Sequence, residues 1–469
     1  MIAARTARLP GPLVAAAGLG AYAAAIAIIP SRTIAALAVL PLLLIPLAWW
    51  TLTRPGRWVA AFIAAALLLP PLPYAFGNSG PHPSLVFAAL GLMAGALLAG
   101  AWRIPADSLP RALIALWLAL LCSLAFGALY SGAEIAAASL ARVMLFGIGV
   151  YLFFFVAYAP AATLSLRFLF WVAASAALIA CVDFYYQLPA PAGFGPQFVW
   201  LASGIYRRAQ GMFYEASTLG NLCACFLVMI AVALTRPAGQ VPISRRALFT
   251  GGVIFSAALV FSYSRASVLN VLVALGALLY LQRARVRLRK AAMILGLSAA
   301  AGAAVSYLAF PEFAGLYWQR LSNTGLGFFL YTAGTLSGRV ESWRFLANFL
   351  SENPWHLLFG VGYKTLPYST YLGRTVIADN MYLSMLVETG VLGLAALLWF
   401  NLAILRAGFK AARDANPRAA FFGTWISCFW LGQCAQMLSA DLLTYWRVMP
   451  IYFLVLAWAV RESRPALQP

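Results

Sequence analysis

The residues of this chain best suited to chemistry are arginines standing singly at the edges of long apolar stretches. Arg207 and Arg208 open RRAQGMFYEASTLGN, Arg265 sits in FSYSRASVLN two residues after Tyr263, and Arg339 lies in SGRVESW. A guanidinium group pairs bidentately with phosphate oxygens and cannot lose its proton, so several converging from separate segments suit a diphosphate. Asp379, next to Asn380 in ADNMYLSMLVETGVLG, is singled out on the same outer side, and Glu215 lies in the first of these segments. The carboxylates Glu215, Glu312, Glu341, Glu352, Asp379 and Asp441 show no DxD-like pairing, and the only histidines are His82 and His356. No metal site and no cofactor is therefore expected. Each residue also has a plainer role open to it. A lone Arg at a helix end snorkels to lipid headgroups, Glu215 or Asp379 can cap the helix that follows it, and Glu388 or Asp183 can pair with an Arg in a span. Arg265 resists this best, because it lies between two apolar stretches with no other charge nearby.

The elements that must hold these residues are membrane helices. Of 469 residues, 64% are apolar and 9% charged, and the mean hydropathy is +0.87, far from the roughly 25% charged residues of a soluble domain. Windows of about 20 apolar residues recur fourteen times, from near 12–29 to near 445–460. The first follows Arg5 and Arg8 but is longer than a signal-peptide core, and is expected to be a retained helix. With both termini cytoplasmic, 21 of the 32 basic residues and three of the twelve acidic ones fall in cytoplasmic segments. This is the positive-inside distribution, so the net charge of +20 needs no nucleic acid to explain it. The six cysteines fall inside the helical windows without ligand spacing.

The fold class predicted is thus an all-α polytopic membrane protein with about 14 transmembrane helices and a folded periplasmic loop. It divides into N-terminal helices (1–206), an Arg-bearing transmembrane core (207–310), a lid loop (311–380) and C-terminal helices (381–469). Within the loop, Trp343, Leu346, Ala347 and Leu350 recur with helical period after Ser337, predicting an amphipathic helix on the membrane surface that Asn353-Pro354 stops. A second short helix is expected over Glu312 to Leu321.

From Ser337 onward, SGRVESW, NPWHLLFGVGY and then DN, nine residues and GVLG resemble the signature of the bacterial O-antigen ligase and polymerase superfamily. RRAQGMFYEAS and SYSR are similar to its two other Arg-bearing motifs, so that the resemblance covers roughly Arg207 to Leu394. It implies a GT-C-like glycosyltransferase of the bacterial inner membrane that works at the periplasmic face. The implied donor is an undecaprenyl-diphosphate-linked glycan, and the acceptor another glycan or lipid A core. Arg208, Arg265, Arg339 and Arg207 would hold the diphosphate and Asp379 or Glu215 would be the base, while Asn380 and Tyr263 bind substrate or support the site. Membrane lipids are the surroundings and undecaprenyl diphosphate is the product, released with inversion at the anomeric carbon. One departure is that Asp379 stands where ligases of the superfamily carry His, which favours the polymerase branch over the ligase branch. The rival class is a secondary transporter or lipid-linked glycan flippase, but the related halves and broken midplane helices expected of one are not evident.

Overall fold

The computed structural model describes residues 18, 20–22, 24, 44–72, 81–161, 164–189, 197–201, 204–237, 239–282, 288–330 and 339–464. The windows near 12–29 and 33–52 (apart from a helical stretch at 44–52), the basic residues Arg283, Arg285 and Arg287, and the Ser337 cap lie largely or wholly outside them. Helices dominate: α1 (Arg57–Leu68), α2 (Ser84–Leu97), α3 (Ser108–Ser131), α4 (Ala133–Tyr158) and α5 (Leu166–Tyr186) precede a short antiparallel hairpin, β1 (Phe198–Leu201) and β2 (Gly204–Arg207). Then come α6 (Ala216–Thr235), α7 (Arg245–Phe261), α8 (Arg265–Gln282), α9 (Leu288–Ala309), α10 (Pro311–Leu330), α11 (Arg339–Glu352) and α12 (His356–Phe359). The chain closes with α13 (Met381–Ala412), α14 (Pro417–Gln436) and α15 (Met449–Glu462). Among the described residues six helices are long and apolar enough to cross a membrane, namely α3, α4, α5, α6, α8 and α13.

A helix that is apolar on every side must be buried on every side, and α6 meets that condition along its whole apolar length. It is the hub, touching α5, α7, α8, α9 and α14. The few polar residues at its level are matched with one another. Asn221 of α6 donates to Gln436 of α14 (2.8 Å) and accepts from Gln433 (2.9 Å) and the Tyr452 hydroxyl, and Asn270 of α8 donates to Gln436 (3.0 Å). Hydrogen bonds of this kind contribute about 1 kcal/mol each between membrane helices, and they fix the rotation of three helices about the hub.

The sequence divides α7 from α8 at Ser262 to Ala266, and the structure breaks there, between Phe261 and Arg265. Three details differ from expectation. The helix expected over Glu312 to Leu321 runs on to Leu330. The lid helix α11 buries Leu346 and Leu350 while Ala347 faces out, because Leu346 and Leu350 pack into a separate small core with Val361, Leu366, Val376, Ala378 and Val387. Trp343 donates to the Ala378 carbonyl (2.7 Å), so the helix lies on the lid's own loop. Finally, α13 breaks at Gly390 (φ 71°, ψ −172°).

That break is where the lid docks. Val361 N–H donates to the Val387 carbonyl (3.0 Å) and Gly362 N–H to the Glu388 carbonyl (2.8 Å). The approach is too close for side chains. A Cβ on Gly360 would stand 2.4 Å from the Glu388 carbonyl carbon, and one on Gly390 2.2 Å from the Leu358 oxygen. Gly362 likewise crosses Gly127 of α3, where a Cβ would meet the Gly127 Cα at 2.3 Å. The glycines of FGVGY and GVLG thus let two strands of backbone lock together and hold the lid loop against α13 and α3.

Candidate active site

Glu215 occupies the N-cap position of α6 but makes no side-chain capping bond, so capping does not account for it. Gly220, on the same helix, admits the turn that carries Arg265. A Cβ there would come within 2.8–2.9 Å of Ser262, Ser264 and Ser267. The turn itself is strained, with Tyr263 at φ 55° and its ring packed between Phe313 and Tyr317, each centroid 5.3 Å away. Left-handed φ costs a non-glycine residue about 1–2 kcal/mol, and strain of this sort gathers at functional sites. Arg208 reaches the same turn: Nε (2.9 Å) and Nη2 (2.7 Å) both donate to the Ser262 carbonyl, fixing the guanidinium plane. Arg208 and the turn that leads into Arg265, distant along the chain, are thus brought to the helix that Glu215 heads.

Arg339, first residue of α11, donates from Nε to Asp379 (3.1 Å). Asp379 is also left-handed, at φ 45°. Its helix is capped by Asn380, whose Oδ1 accepts from the N–H groups of Tyr382 and Leu383 (3.1 Å each), so capping belongs to Asn380 and not Asp379. With 45% of the Asp379 side chain exposed, its pairing with Arg339 is a weak, solvent-accessible contact.

Arg207 is engaged elsewhere. Its Nη2 donates to Asp183 of α5 and to the Leu188 carbonyl, both at 2.5 Å, and its backbone is clamped by Gln187. Asp183 lies within α5, so the pair is a clasp between α5 and the hairpin. Removing one partner of a buried pair costs about 3–5 kcal/mol. Arg207→Ala is therefore expected to lower the thermal midpoint of the purified protein, whereas a diphosphate role alone would leave the midpoint unchanged and weaken donor binding.

Three further charged groups lie around the site: Lys364 and Arg142, which the sequence does not single out, and Glu388, which it offers only as a partner for an Arg. Lys364, on the lid loop at φ 57°, forms a buried ion pair with Asp441, which precedes the 3₁₀ turn Leu442–Thr444. Glu388, buried beside the break in α13, accepts from the Leu366 N–H (3.4 Å). Arg142 of α4 stacks on the Tyr368 ring with its Cζ 4.6 Å from the centroid. Burial raises the Glu215 carboxyl above the usual carboxylate range; Lys364 opposes this, Asp441 and Asp379 add to it, and Arg208 opposes it. Burial by itself would lower the Lys364 ammonium, but Asp441 and Glu388 overcome it and hold the group above its ordinary value.

Both histidines are bound into the framework. His82 contacts the Ser84 hydroxyl (2.8 Å) and the Leu69 carbonyl (2.9 Å), and burial brings its pKa down to about 4. His356 lies between the Gly360 carbonyl and the Tyr371 hydroxyl, both at 3.2 Å, and burial lowers it as well. Among the described residues no group of three His, Cys, Asp or Glu side chains is arranged to hold a metal ion.

A polytopic helical membrane protein whose charged residues gather under a folded lid is the class that fold and site define. Residues 250–398, from α7 through the lid to the break in α13, match the family described as O-Antigen ligase. The match supports a likeness of that segment to the O-antigen ligase and polymerase-like superfamily. No curated protein matches it. The matched segment contains Arg265, Arg339, Lys364, Asp379 and Glu388, and leaves Arg208, Glu215 and Asp441 outside.

Proposed function

We propose that the protein transfers a glycan from undecaprenyl diphosphate to a sugar hydroxyl at the periplasmic face of the bacterial inner membrane, polymerising repeat units of an O-antigen or exopolysaccharide. The observation that carries this reading is the meeting of Arg208 and Arg265 on one strained turn, seated through Gly220 on the helix that Glu215 heads. The acceptor oxygen attacks the anomeric carbon, the bond from that carbon to the diphosphate oxygen breaks, and the acceptor proton passes to Glu215. Attack opposite the leaving group inverts the anomeric centre. Negative charge develops on the departing diphosphate, and fixed cations placed where charge develops are the strongest aid a site can give. Arg208 and Arg265 supply them, joined by Arg339 as its exposed contact with Asp379 opens.

A second reading, ligation of the glycan to lipid A core, is favoured by the description of the matched family. The positive-inside charge supports cytoplasmic termini, and the fourteen apolar windows support a GT-C-like array of spans. Purified protein incubated with an undecaprenyl-diphosphate-linked repeat unit, with and without lipid A core, separates the two. Lengthened lipid-linked glycan is the expected product; glycosylated core alone would replace polymerase by ligase.

A further inference from the structure

The hydrogen-bonded network beside α6 has its junction at Gln436, the last residue of α14. Its Oε1 accepts from Asn221 of α6 (2.8 Å) and from Asn270 of α8 (3.0 Å), and its Nε2 donates to the Ser267 hydroxyl (3.4 Å). An amide oxygen has two lone pairs, and both are taken. Turned over, the amide would set its own donors against those of two asparagines and leave buried polar groups unsatisfied. Nε2 is thereby kept for Ser267. That serine in turn shares a hydrogen bond with the Ser264 hydroxyl (2.8 Å) and donates its N–H to the same oxygen (3.3 Å). The two serines bracket Arg265, so the junction grips the turn from which that residue leaves. Gly432, one turn earlier on α14, makes room for the contact, since a Cβ there would stand 2.2 Å from Asn270 Oδ1.

The same end of α14 also holds the head of α13. The Met437 carbonyl accepts the Met381 N–H (2.8 Å), and the Cys434 carbonyl accepts the Tyr382 hydroxyl (3.0 Å). Met381 opens α13 directly after Asp379 and Asn380. Resting on the transferase reading above, we propose that Gln436 is a positioning residue that sets the spacing between the Arg265 turn and the Asp379–Asn380 head, and with it the placement of Arg265 against the breaking bond. Gln436 is fully buried and acts through Ser267 on one side and the Met437 carbonyl on the other. Gln433 supplies a contrast: it lies one turn back on the same helix and donates to Asn221 Oδ1 (2.9 Å), which leads to α6 and not to the Arg265 turn.

The test is hydrogen exchange of the segments 262–268 and 379–385 in full-length protein in lipid nanodiscs, read against α15 as an internal reference. Exchange is expected to rise about fivefold or more in both segments in Gln436→Met, the effect of one net hydrogen bond. It should rise in the first segment alone in Ser267→Ala and in neither in Gln433→Met, although all three variants lower the thermal midpoint. Ser267→Ala keeps the Asn221 and Asn270 bonds, so it carries the contrast with Gln433→Met if Gln436→Met does not fold. Gln436→Glu, whose buried carboxyl stays protonated and offers one acceptor and one donor, should restore wild-type exchange. In glycan transfer, kcat is expected to fall on the order of 10²-fold in Gln436→Met, the scale of a misplacement of about 1 Å, with the donor KM changed less than about threefold. Equal exchange in the Gln433 and Gln436→Met variants, or a kcat that merely follows the thermal midpoint, would overturn the proposal and leave Gln436 a strut of the bundle. Exchange needs no substrate, so absence of transfer in the wild type would defeat the transferase reading while exchange still decides whether Gln436 couples the two segments.

Discussion

Arg265→Lys is expected to insert and fold normally yet lose about 10²–10³-fold in glycan transfer, the scale of removing one preorganised donor to a developing oxyanion. Lysine keeps the charge, but its ammonium is a single point without the planar fork that engages two phosphate oxygens. The residue opens α8 directly after the strained Tyr263 turn, whose serines lie against Gly220. The variant's fold can be checked by its thermal midpoint, and transfer by lengthening of a labelled lipid-linked unit. Near-normal transfer would return Arg265 to a headgroup contact. Arg208→Lys is expected to behave similarly, with an added loss of order in the turn because two donors to the Ser262 carbonyl are removed.

Glu215→Gln is expected to cost about 10²–10⁴-fold in transfer with donor binding retained, the usual contribution of a general base. Asp379→Asn should have a smaller effect, expressed chiefly in donor affinity, because its exposed carboxylate balances Arg339 and stands less enclosed than Glu215. The pH dependence follows from the same environment. Burial raises the Glu215 carboxyl, and the base form is populated only above that raised value. Transfer should therefore decline on acidification while still above the ordinary carboxylate range. The opposite result, with Asp379→Asn abolishing transfer and Glu215→Gln nearly active, would exchange their roles.

Much of this site is legible in sequence because its arginines interrupt apolar runs. Arg208, Arg265 and Arg339 stand out on that ground, and the period of Trp343, Leu346 and Leu350 reveals the lid helix through the same physics of burial. Lys364 leaves no such trace. It is one basic residue in a hydrophilic loop, and what distinguishes it is a left-handed backbone and a partner on a distant loop, neither of which has a periodic signature. Arg207 and Arg208 look equivalent in sequence, but the hairpin directs one to Asp183 and the other to the Ser262 turn. The break at Gly390 is hidden for a related reason, since an apolar window containing glycine reads as continuous helix until the docking of Gly360 is seen. The number of spans rests on apolar windows and charge, and part of the N-terminal region lies outside the described residues.

The central claim is that guanidinium groups and a half-buried carboxylate carry transfer from a lipid diphosphate. Its most direct test is purified full-length protein in nanodiscs, given a labelled undecaprenyl-diphosphate-linked repeat unit in excess EDTA. Lengthened glycan with matching release of undecaprenyl diphosphate is expected. Transfer that vanishes in EDTA and returns with magnesium would contradict the claim, as would movement of the donor across the bilayer with no new glycosidic bond.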